Sequence, residues 1–448
     1  MNVLLISPNT LTVPYPVYPI GLDYVAGAIA AEHQVRIADM QTLSRDGLSA
    51  LIDDFAPEVI GLSIRNIDNT EGADPLSFLA EYRQLVAWLR QRSPAVIVCG
   101  GSGFTIMPDQ VLAMLEADYG IVGEGERLAQ LIEALRHDRN PAAIHGVIAA
   151  GGSSALPSPW PGAQVRRFQP DAAHIRYYVE QGGMLNLQTK RGCSFNCIYC
   201  SYPRIEGRGH RLTEPQEVAA TALQLQAAGA KYLFITDSAF NSDIDHSMAV
   251  AAALRHAGLA IPWGAFFAPT RLPSDYFAAM AAAGCRHVEF GTESLAAATL
   301  KAYRKPFQVE DILAAHRLAR SAGLHVCHYL LLGGPGESAA TVAETLDGIE
   351  RLDRSVFFFF IGIRIYPGTE LFDLALAEGK LDGSRNMLEP VFYDPDTIDR
   401  ATIESMVEDR AGTRANWVIG SGGSRVAATV RTMHRRGFTG PLWEYLAR

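Results

Sequence analysis

The chain has 448 residues, of which 48% are apolar and 19% are charged. At roughly 150 residues per domain, this length predicts two or three folded domains and excludes a disordered chain or a small disulfide scaffold. The formal net charge of −9 disfavours a nucleic-acid binder, which relies on basic side chains to contact phosphates. The longest apolar run, near Val356–Ile363, is far short of the ~20 residues that span a bilayer.

The cysteines and the N-terminus indicate the compartment. Three of the six cysteines lie within eight residues and the others are scattered, which is unlike a secreted disulfide framework. The first ten residues, MNVLLISPNT, lack the basic segment and the small-residue cleavage site of a signal peptide. We therefore expect a cytoplasmic protein with reduced thiols.

The first third of the chain alternates short apolar runs with amphipathic stretches. Strands are predicted at Asn2–Ser7, Val35–Ala38, Val59–Ile64, Ala95–Cys99 and Tyr119–Val122. Apolar strands separated by helices are typical of a parallel sheet that is covered on both faces. The pattern predicts a doubly wound, Rossmann-like α/β domain over residues 1–140.

Residues 141–183 are rich in glycine and proline and are predicted to be a linker. From residue 184 the alternation resumes, with strands predicted at Met184–Thr189, Tyr232–Thr236, Pro262–Phe266, His287–Gly291, His325–Leu332 and Phe357–Arg364. Six β/α units predict a partial TIM-type (β/α)6 barrel over residues 184–369. Residues 370–448 are less periodic and are predicted to form a small, mostly helical region that closes the barrel mouth.

The sharpest signal is a C-x3-C-x2-C loop that follows the first predicted strand of the barrel. Its ligands are Cys193, Cys197 and Cys200. Three thiolates on one short loop can hold three irons of a 4Fe–4S cluster, which ordinarily takes four cysteines. No fourth cysteine lies nearby, so this interpretation leaves one iron open to a substrate or cofactor.

Two plainer interpretations compete with the cluster. A structural zinc site could use the three cysteines with His210 as the fourth ligand. Such sites usually come as paired half-sites, and no second pair is visible. Three ordinary buried thiols are the other alternative, but this spacing in a loop with glycine and asparagine is unusual for them. We expect the iron cluster.

The motif, with Tyr199 before its last cysteine, and the β/α units that follow resemble the radical S-adenosylmethionine (SAM) superfamily over about 184–367. The resemblance implies that the open iron binds SAM. It also implies SAM contacts at strand ends, at Asp237, Glu293, Ser294 and Arg304, and a reaction site near Arg364 and Tyr366. By itself, Asp237 could equally cap a helix and Arg304 could be a solvated surface charge.

Four loops in the N-terminal domain follow predicted strands. Because ligands bind beyond the carboxyl ends of such strands, these loops are candidates for binding. The domain resembles the B12-binding domain of cobalamin-dependent radical SAM enzymes. The resemblance implies cobalamin contacts at Pro8, Ile64, Arg65, Asn66, Gly100, Gly101, Ser102, Gly103, Gly123, Glu124, Gly125 and Glu126.

One departure from many B12 enzymes concerns the lower face of cobalamin. The D-x-H-x-x-G motif, which supplies a histidine to cobalt, is absent, and His33 has no aspartate two residues before it. We therefore expect no histidine below the cobalt. Arg65 at that position would not ligate and would disfavour a more positive cobalt; a surface or salt-bridged arginine is the equally weighted alternative.

The resemblance implies a cobalamin-dependent radical SAM methyltransferase, which moves a methyl group from SAM through methylcobalamin to an unactivated or weakly nucleophilic carbon. A cyclase or ring-rearranging enzyme with the same cofactors is the alternative. A methylthiotransferase would require a second cluster held by three N-terminal cysteines, and only Cys99 is present there. An electron donor such as flavodoxin or ferredoxin is implied.

The substrate stays open among small molecules, peptides, lipids and tetrapyrroles. Candidate cavity residues are Phe240, Asn241, Tyr329 and Arg364. Trp417, Trp443 and Tyr445 are candidate wall residues from the C-terminal region, with packing against the barrel as their plainer role.

Overall fold

The computed structural model describes residues 1–12, 15–153, 158–170, 172–420 and 423–446. Residues 154–157 and 171 of the predicted linker, and residues 421–422 and 447–448 of the C-terminal region, lie outside this description. No helix among the described residues is long and apolar enough to cross a membrane.

The N-terminal sheet has six strands in the order β2-β1-β3-β4-β5-β6. The first five are parallel to one another, and β6 pairs with β5 in the antiparallel sense. The strands are β1 Asn2–Ser7, β2 Gln34–Asp39, β3 Val59–Ser63, β4 Val96–Gly100, β5 Tyr119–Ile121 and β6 Val147–Ala149. The doubly wound Rossmann-like prediction is thus confirmed. From β1 the chain adds β2 on one side and β3 to β5 on the other, so the strand order reverses between β1 and β3, where such folds bind ligands.

Helices cover this sheet on both faces. They are α1 Ile20–Ile29, α2 Arg45–Phe55, α3 Leu79–Arg92, α4 Ser102–Ile106, α5 Pro108–Leu115 and α6 Leu128–Arg136. The local sequence explains one start clearly: α2 begins after Ser44, whose hydroxyl accepts a hydrogen bond from the Gly47 amide. That bond satisfies one of the free amides of the first helical turn.

The second sheet has seven strands in the order β17-β14-β13-β12-β11-β10-β7, all pairs parallel. The strands of the second half of the chain are β7 Met184–Leu187, β8 Lys190–Arg191, β9 Arg211–Leu212, β10 Tyr232–Ile235, β11 Trp263–Phe267, β12 Cys285–Glu293, β13 His325–Leu332, β14 Ser355–Ile361, β15 Ile363–Arg364, β16 Phe392–Tyr393 and β17 Trp417–Ile419. The six predicted barrel strands form in the predicted order. The seventh comes from the C-terminal region, where Trp417 pairs with Phe357 rather than lining a cavity.

The helices of the second half are α7 Ala173–Glu180, α8 Tyr202–Ile205, α9 Pro215–Ala227, α10 Ile244–His256, α11 Tyr276–Ala282, α12 Ala297–Ala302, α13 Val309–Ser321, α14 Ala339–Ile349, α15 Glu370–Ala377, α16 Arg400–Ala411 and α17 Gly423–Arg435. A short 3-10 helix, Leu442–Leu446, follows them. The predicted linker therefore contains both β6 and α7.

The two sheets share apolar packing. A single buried cluster contains N-terminal residues such as Phe104 and Ile64 together with Ile198, Tyr303 and Ile365 from the second half. The linker also packs closely on α1, since a Cβ atom at Gly27 would lie 1.8 Å from the Val165 carbonyl oxygen. These contacts set the carboxyl edge of the first sheet against the mouth of the barrel.

Candidate active site

The cysteine loop folds back on the segment that follows it. Gly192 has φ +91°, and a Cβ atom there would lie 2.2 Å from the Gly209 carbonyl oxygen, so glycine is required. The Gly192 amide donates to Glu206 at 3.0 Å, and the Cys193 amide donates to the Gly207 carbonyl at 3.1 Å. Backbone contacts therefore hold the loop's shape.

The three thiols lie in a largely buried group. Burial raises the pKa of Cys200 to about 12, and the neighbouring Cys197 and Cys193 raise it further because like charges repel. Burial likewise raises the pKa of Cys197. Free thiolates are costly in this place, and a bound iron cluster would supply the positive charge that they lack. The residues therefore fit a metal cluster.

The sulfur spacing separates the cluster from zinc. Sulfur ligands at about 2.3 Å from one zinc ion lie no more than about 4.6 Å apart. Among the described residues, the group with ligand atoms all within 4.8 Å of one another is Glu32, His33 and Glu133, and the three cysteines do not form such a group. His210, the fourth ligand of the zinc alternative, hydrogen bonds through Nε2 to the Ser242 hydroxyl at 3.1 Å. The wider spacing suits a polynuclear cluster.

A buried triad stands beside these thiols. Tyr199 donates to Glu293 Oε1 at 2.9 Å, and Lys305 Nζ reaches the same oxygen at 3.0 Å and the Tyr199 hydroxyl at 3.2 Å. Glu293 adopts φ +62° at a register shift between β12 and β13. Burial alone would lower the pKa of Lys305, but Glu293 and Cys197 raise it overall. The strained backbone and the ion pair present a cation to the cluster loop.

Replacing Lys305 by methionine is expected to raise the pKa of the Cys197 thiol, because the Lys305 ammonium lowers it. In metal-free protein, alkylation of Cys197 by iodoacetamide near pH 8 should slow several-fold, since the thiolate is the reactive form. Peptide mass spectrometry measures the rate. The control is Lys301→Met at an exposed position, which should leave the rate unchanged; equal rates in the two variants would contradict the prediction.

Asp237 is bound by residues that lie just before the cluster loop. Its carboxylate accepts from the Thr189 amide at 2.8 Å and the Thr189 hydroxyl at 2.5 Å, and it pairs with Lys190 Nζ at 3.0 Å. Asp237 and Lys190 are both about 1% exposed. The predicted SAM contact therefore has no support from this geometry: Asp237 instead holds the strand that leads into the cysteine loop.

Two other predicted SAM ligands lie elsewhere. Ser294 is fully buried and hydrogen bonds to the Thr345 hydroxyl at 2.7 Å, on the outer side of the barrel. Arg304 is exposed and pairs with Glu370 at 2.7 Å. The surface alternative for Arg304 thus matches the structure, and its neighbour Lys305 is the buried cation that reaches Glu293.

Predicted cavity residues also divide. Phe240 is buried against Trp263 and Phe267, and Asn241 bonds to Ala268; neither position supports a cavity role.

Arg364 and Tyr366 are joined to the N-terminal domain. Arg364 Nε donates to Asp68 at 2.9 Å and the Tyr366 hydroxyl donates to the same carboxylate at 3.2 Å. Their reaction-site role stays a prediction, and their observed contacts tie the two sheets together.

The structure brings together two of the predicted cobalamin loops. The Ile64 carbonyl accepts from the Gly103 amide at 2.9 Å, and the Ser102 hydroxyl donates to the Arg65 carbonyl at 2.9 Å. Gly101 has φ +102° and a Cβ atom there would lie 2.6 Å from the Ile64 carbonyl oxygen. These glycines allow the loops to meet, with Gly100 and Asn66 at the ends of the contact. Pro8 is buried directly after β1.

The loop Gly123–Glu126 is held in place by ion pairs. Glu124 pairs with Arg191 at 3.0 Å and with Arg211 at 2.9 Å, and Glu126 Oε1 lies 2.7 Å from Arg191 Nη2. The side chains of Arg191, Glu124 and Glu126 are each less than a tenth exposed. The carboxylates therefore clamp the Gly123–Glu126 loop to Arg191, just before the cysteine loop, and the cobalamin contacts of this loop stay a prediction. The importance of Arg191 had no sequence signal beyond its place before Gly192.

Arg65 and His33, the two residues weighed for the lower face of cobalamin, lie in different parts of the N-terminal domain. Arg65 is exposed and forms no ion pair among the described residues, and its charge opposes the rise that burial causes in the pKa of Tyr15 and Tyr202. His33 lies at the other edge of the sheet, against the N-terminal amine. Among the described residues, the strands of the N-terminal sheet and the predicted cobalamin loops contain no histidine.

Comparison with known proteins agrees with these features. Residues 187–349 match the Radical SAM superfamily and residues 6–132 match the B12 binding domain. Tryptophan 2-C-methyltransferase of Streptomyces laurentii is 26% identical over 82% of this chain and 73% of that protein. An uncharacterized methyltransferase of Pyrococcus horikoshii is 26% identical over 85% of this chain and 84% of that protein. The radical SAM methyltransferase TsrM of Kitasatospora setae, solved with tryptophan and a SAM analogue, superposes with a TM-score of 0.88 at 23% identity, covering 100% of this chain and 98% of that chain.

Proposed function

We propose that this chain, which belongs to the cobalamin-dependent radical SAM enzymes, is a methyltransferase that moves a methyl group from SAM through methylcobalamin to a carbon atom. The observation that carries the proposal is the contact between the N-terminal sheet and the barrel. A three-cysteine loop with a buried Lys305–Glu293 pair faces the ligand-binding edge of a B12-binding domain. The curated relatives reported above are methyltransferases, one of them named for a transfer to carbon, and the ring-closing alternative is not favoured.

The chain's own residues position and protect the reaction. When bound, the cluster and SAM supply one-electron chemistry, and cobalamin supplies a carrier for the methyl group. Cys193, Cys197 and Cys200 would hold the cluster, while Tyr199, Glu293 and Lys305 lie beside it. Arg65 would lie toward the cobalamin, with the loops at Ile64–Asn66 and Gly100–Gly103 around it. The apolar packing between the sheets keeps water from the joint.

Three further assignments belong to the proposal. The working division is residues 1–140 for cobalamin, 141–183 for the linker, 184–369 for the barrel and 370–448 for the capping and substrate region. A reduced flavodoxin or ferredoxin would deliver electrons, which places the enzyme in the reducing cytoplasm. The substrate is a small molecule that enters the barrel.

The decisive test is anaerobic. Protein loaded with iron, sulfide and cobalamin is incubated with SAM that carries a labelled methyl group, a reductant and an extract of the host. We expect a product that is heavier by one labelled methylene unit, detected by mass spectrometry. A product that has lost hydrogens without gaining label would favour the cyclase, and label that never leaves SAM would overturn the proposal.

A further inference from the structure

The interior of the barrel is lined by aromatic rings from four strands and one loop. Phe234 of β10 lies 5.1 Å from Phe266 of β11 between ring centroids, and Phe266 lies 5.9 Å from Tyr329 of β13. Tyr329 stacks on Phe358 at 5.1 Å. We call this lining the aromatic chamber; its members are Tyr15, Phe234, Phe266, Tyr329, Phe358 and Phe360.

The chamber faces open space. Along a strand, successive side chains point to opposite faces, and the outward residues pack under helices, as Phe290 does on Phe277. The inward Phe266, Tyr329 and Phe358 are only partly buried. Their inner faces therefore remain free for a ligand.

Gly291 opens the middle of this lining. The strands β11 and β13 are not neighbours, since β12 lies between them, yet Phe266 and Tyr329 approach each other across it. A Cβ atom at Gly291 would contact only Glu293 Oε1, at 3.3 Å. The glycine thus leaves open space inside the barrel beside these two rings, flanked along the strand by Glu289 and Glu293. A flat group can lie in this space against the rings.

A single carboxylate forms the floor beneath the rings. Glu289 is 2% exposed and accepts from the Tyr329 hydroxyl at 2.8 Å and from Trp443 Nε1 at 2.9 Å. His287 Nε2 lies 3.4 Å from Glu289 in an ion pair that lacks hydrogen-bond geometry, and this buried nitrogen has no other partner. A carboxylate offers about four acceptor positions, so Glu289 can accept a further donor.

The C-terminal 3-10 helix fixes this floor. Glu444 holds His287 Nδ1 at 3.2 Å and the Tyr232 hydroxyl at 2.7 Å, and its neighbour Trp443 supplies the bond to Glu289. Tyr15, from the segment before α1, lies 6.2 Å from Phe234 between ring centroids. The chamber is therefore bounded by Tyr15 on the side of the N-terminal domain and by Glu289 of β12.

Resting on the proposed function, we propose that the substrate is a planar aromatic molecule with an N–H donor, whose ring lies in the open space at Gly291 and whose N–H is bound by Glu289. Stacked and edge-on ring contacts favour an aromatic group, and a carboxylate in an apolar wall favours a donor and rejects an anion. Saturated lipids lack both features.

Binding of matched probes tests the inference. The protein is loaded with its cluster, cobalamin and S-adenosylhomocysteine, and titrated anaerobically by calorimetry with 1-aminonaphthalene, its N,N-dimethyl derivative and decahydro-1-naphthol, a neutral saturated donor. We expect the first to bind about tenfold or more tightly than the others, because a hydrogen bond to a charged group is worth roughly that factor and a saturated ring does not stack. Equal affinities, tightest binding of the saturated alcohol, or absence of binding would overturn the inference.

Variants locate the site. Glu289→Gln should remove most of the preference for the N–H probe, and Gly291→Val should abolish its binding, while Glu81→Gln at an exposed position should change neither. Unchanged iron content and melting curves show that each variant folds. An unaltered preference in Glu289→Gln contradicts the inference. Transfer of labelled methyl from SAM to cobalamin, measured without any substrate, reports separately on the proposed function.

Discussion

Replacing Arg191 by methionine is expected to lower the free energy of unfolding by about 3–5 kcal/mol. The arginine is buried between Glu124 and Glu126, which are 5% and 2% exposed. Burial would lower the pKa of Arg191, but the two carboxylates raise it, and Arg191 in turn lowers the pKa of Glu124. Without Arg191, Glu126 stays buried with no ion-pair partner among the described residues. Urea unfolding followed by circular dichroism measures the change.

Two controls separate this charge effect from a loss of packing. Arg36→Met removes an exposed pair with Asp54, in which the side chains are 46% and 70% exposed, and should cost less than about 1 kcal/mol. The triple variant Arg191→Met, Glu124→Gln, Glu126→Gln should recover a large part of the loss, because no unpaired charge remains. If Arg191→Met unfolded at the same urea concentration as Arg36→Met, the clamp would have no energetic role.

Replacing Cys197 by serine is expected to abolish both cluster assembly and SAM cleavage. Serine keeps the size of the side chain, but its hydroxyl does not replace a thiolate as an iron ligand. After anaerobic reconstitution, the variant should lack the brown absorption and bind much less iron, and deoxyadenosine should fall below detection by liquid chromatography. The loss should be complete because the other two thiolates hold only two irons.

Cys99→Ala is the matched control for that experiment. Cys99 is fully buried in the N-terminal core, so its removal costs packing but leaves every candidate iron ligand in place. It should retain full iron content and SAM cleavage. A Cys197→Ser protein that kept its iron and its deoxyadenosine would refute the three-cysteine cluster, and a colourless protein that took up zinc would favour the structural site.

Local patterns predicted a great deal of this protein. The apolar runs of the N-terminal domain correspond to the parallel strands β1 and β3–β5, because burial on both faces of a sheet requires continuous apolar sequence. The cysteine loop was visible because its ligands lie within eight residues. The partners of individual side chains were harder to predict. Arg304 and Lys305 are neighbours, yet Arg304 adopts φ +54°, which turns the chain so that Arg304 is exposed and the Lys305 side chain is buried.

The sequence by itself determined the two α/β units, the metal-binding loop and the absence of a histidine motif for cobalt, since each depends on residues close together in the chain. Only the tertiary structure decided that Asp237 binds Lys190, that Glu124 binds Arg191 across 67 residues, and that Trp443 reaches Glu289 across 154 residues. Which carboxylate is neutralised within the protein and which stays available to a ligand depends on strand register and domain contact, and neither leaves a periodic trace in the sequence.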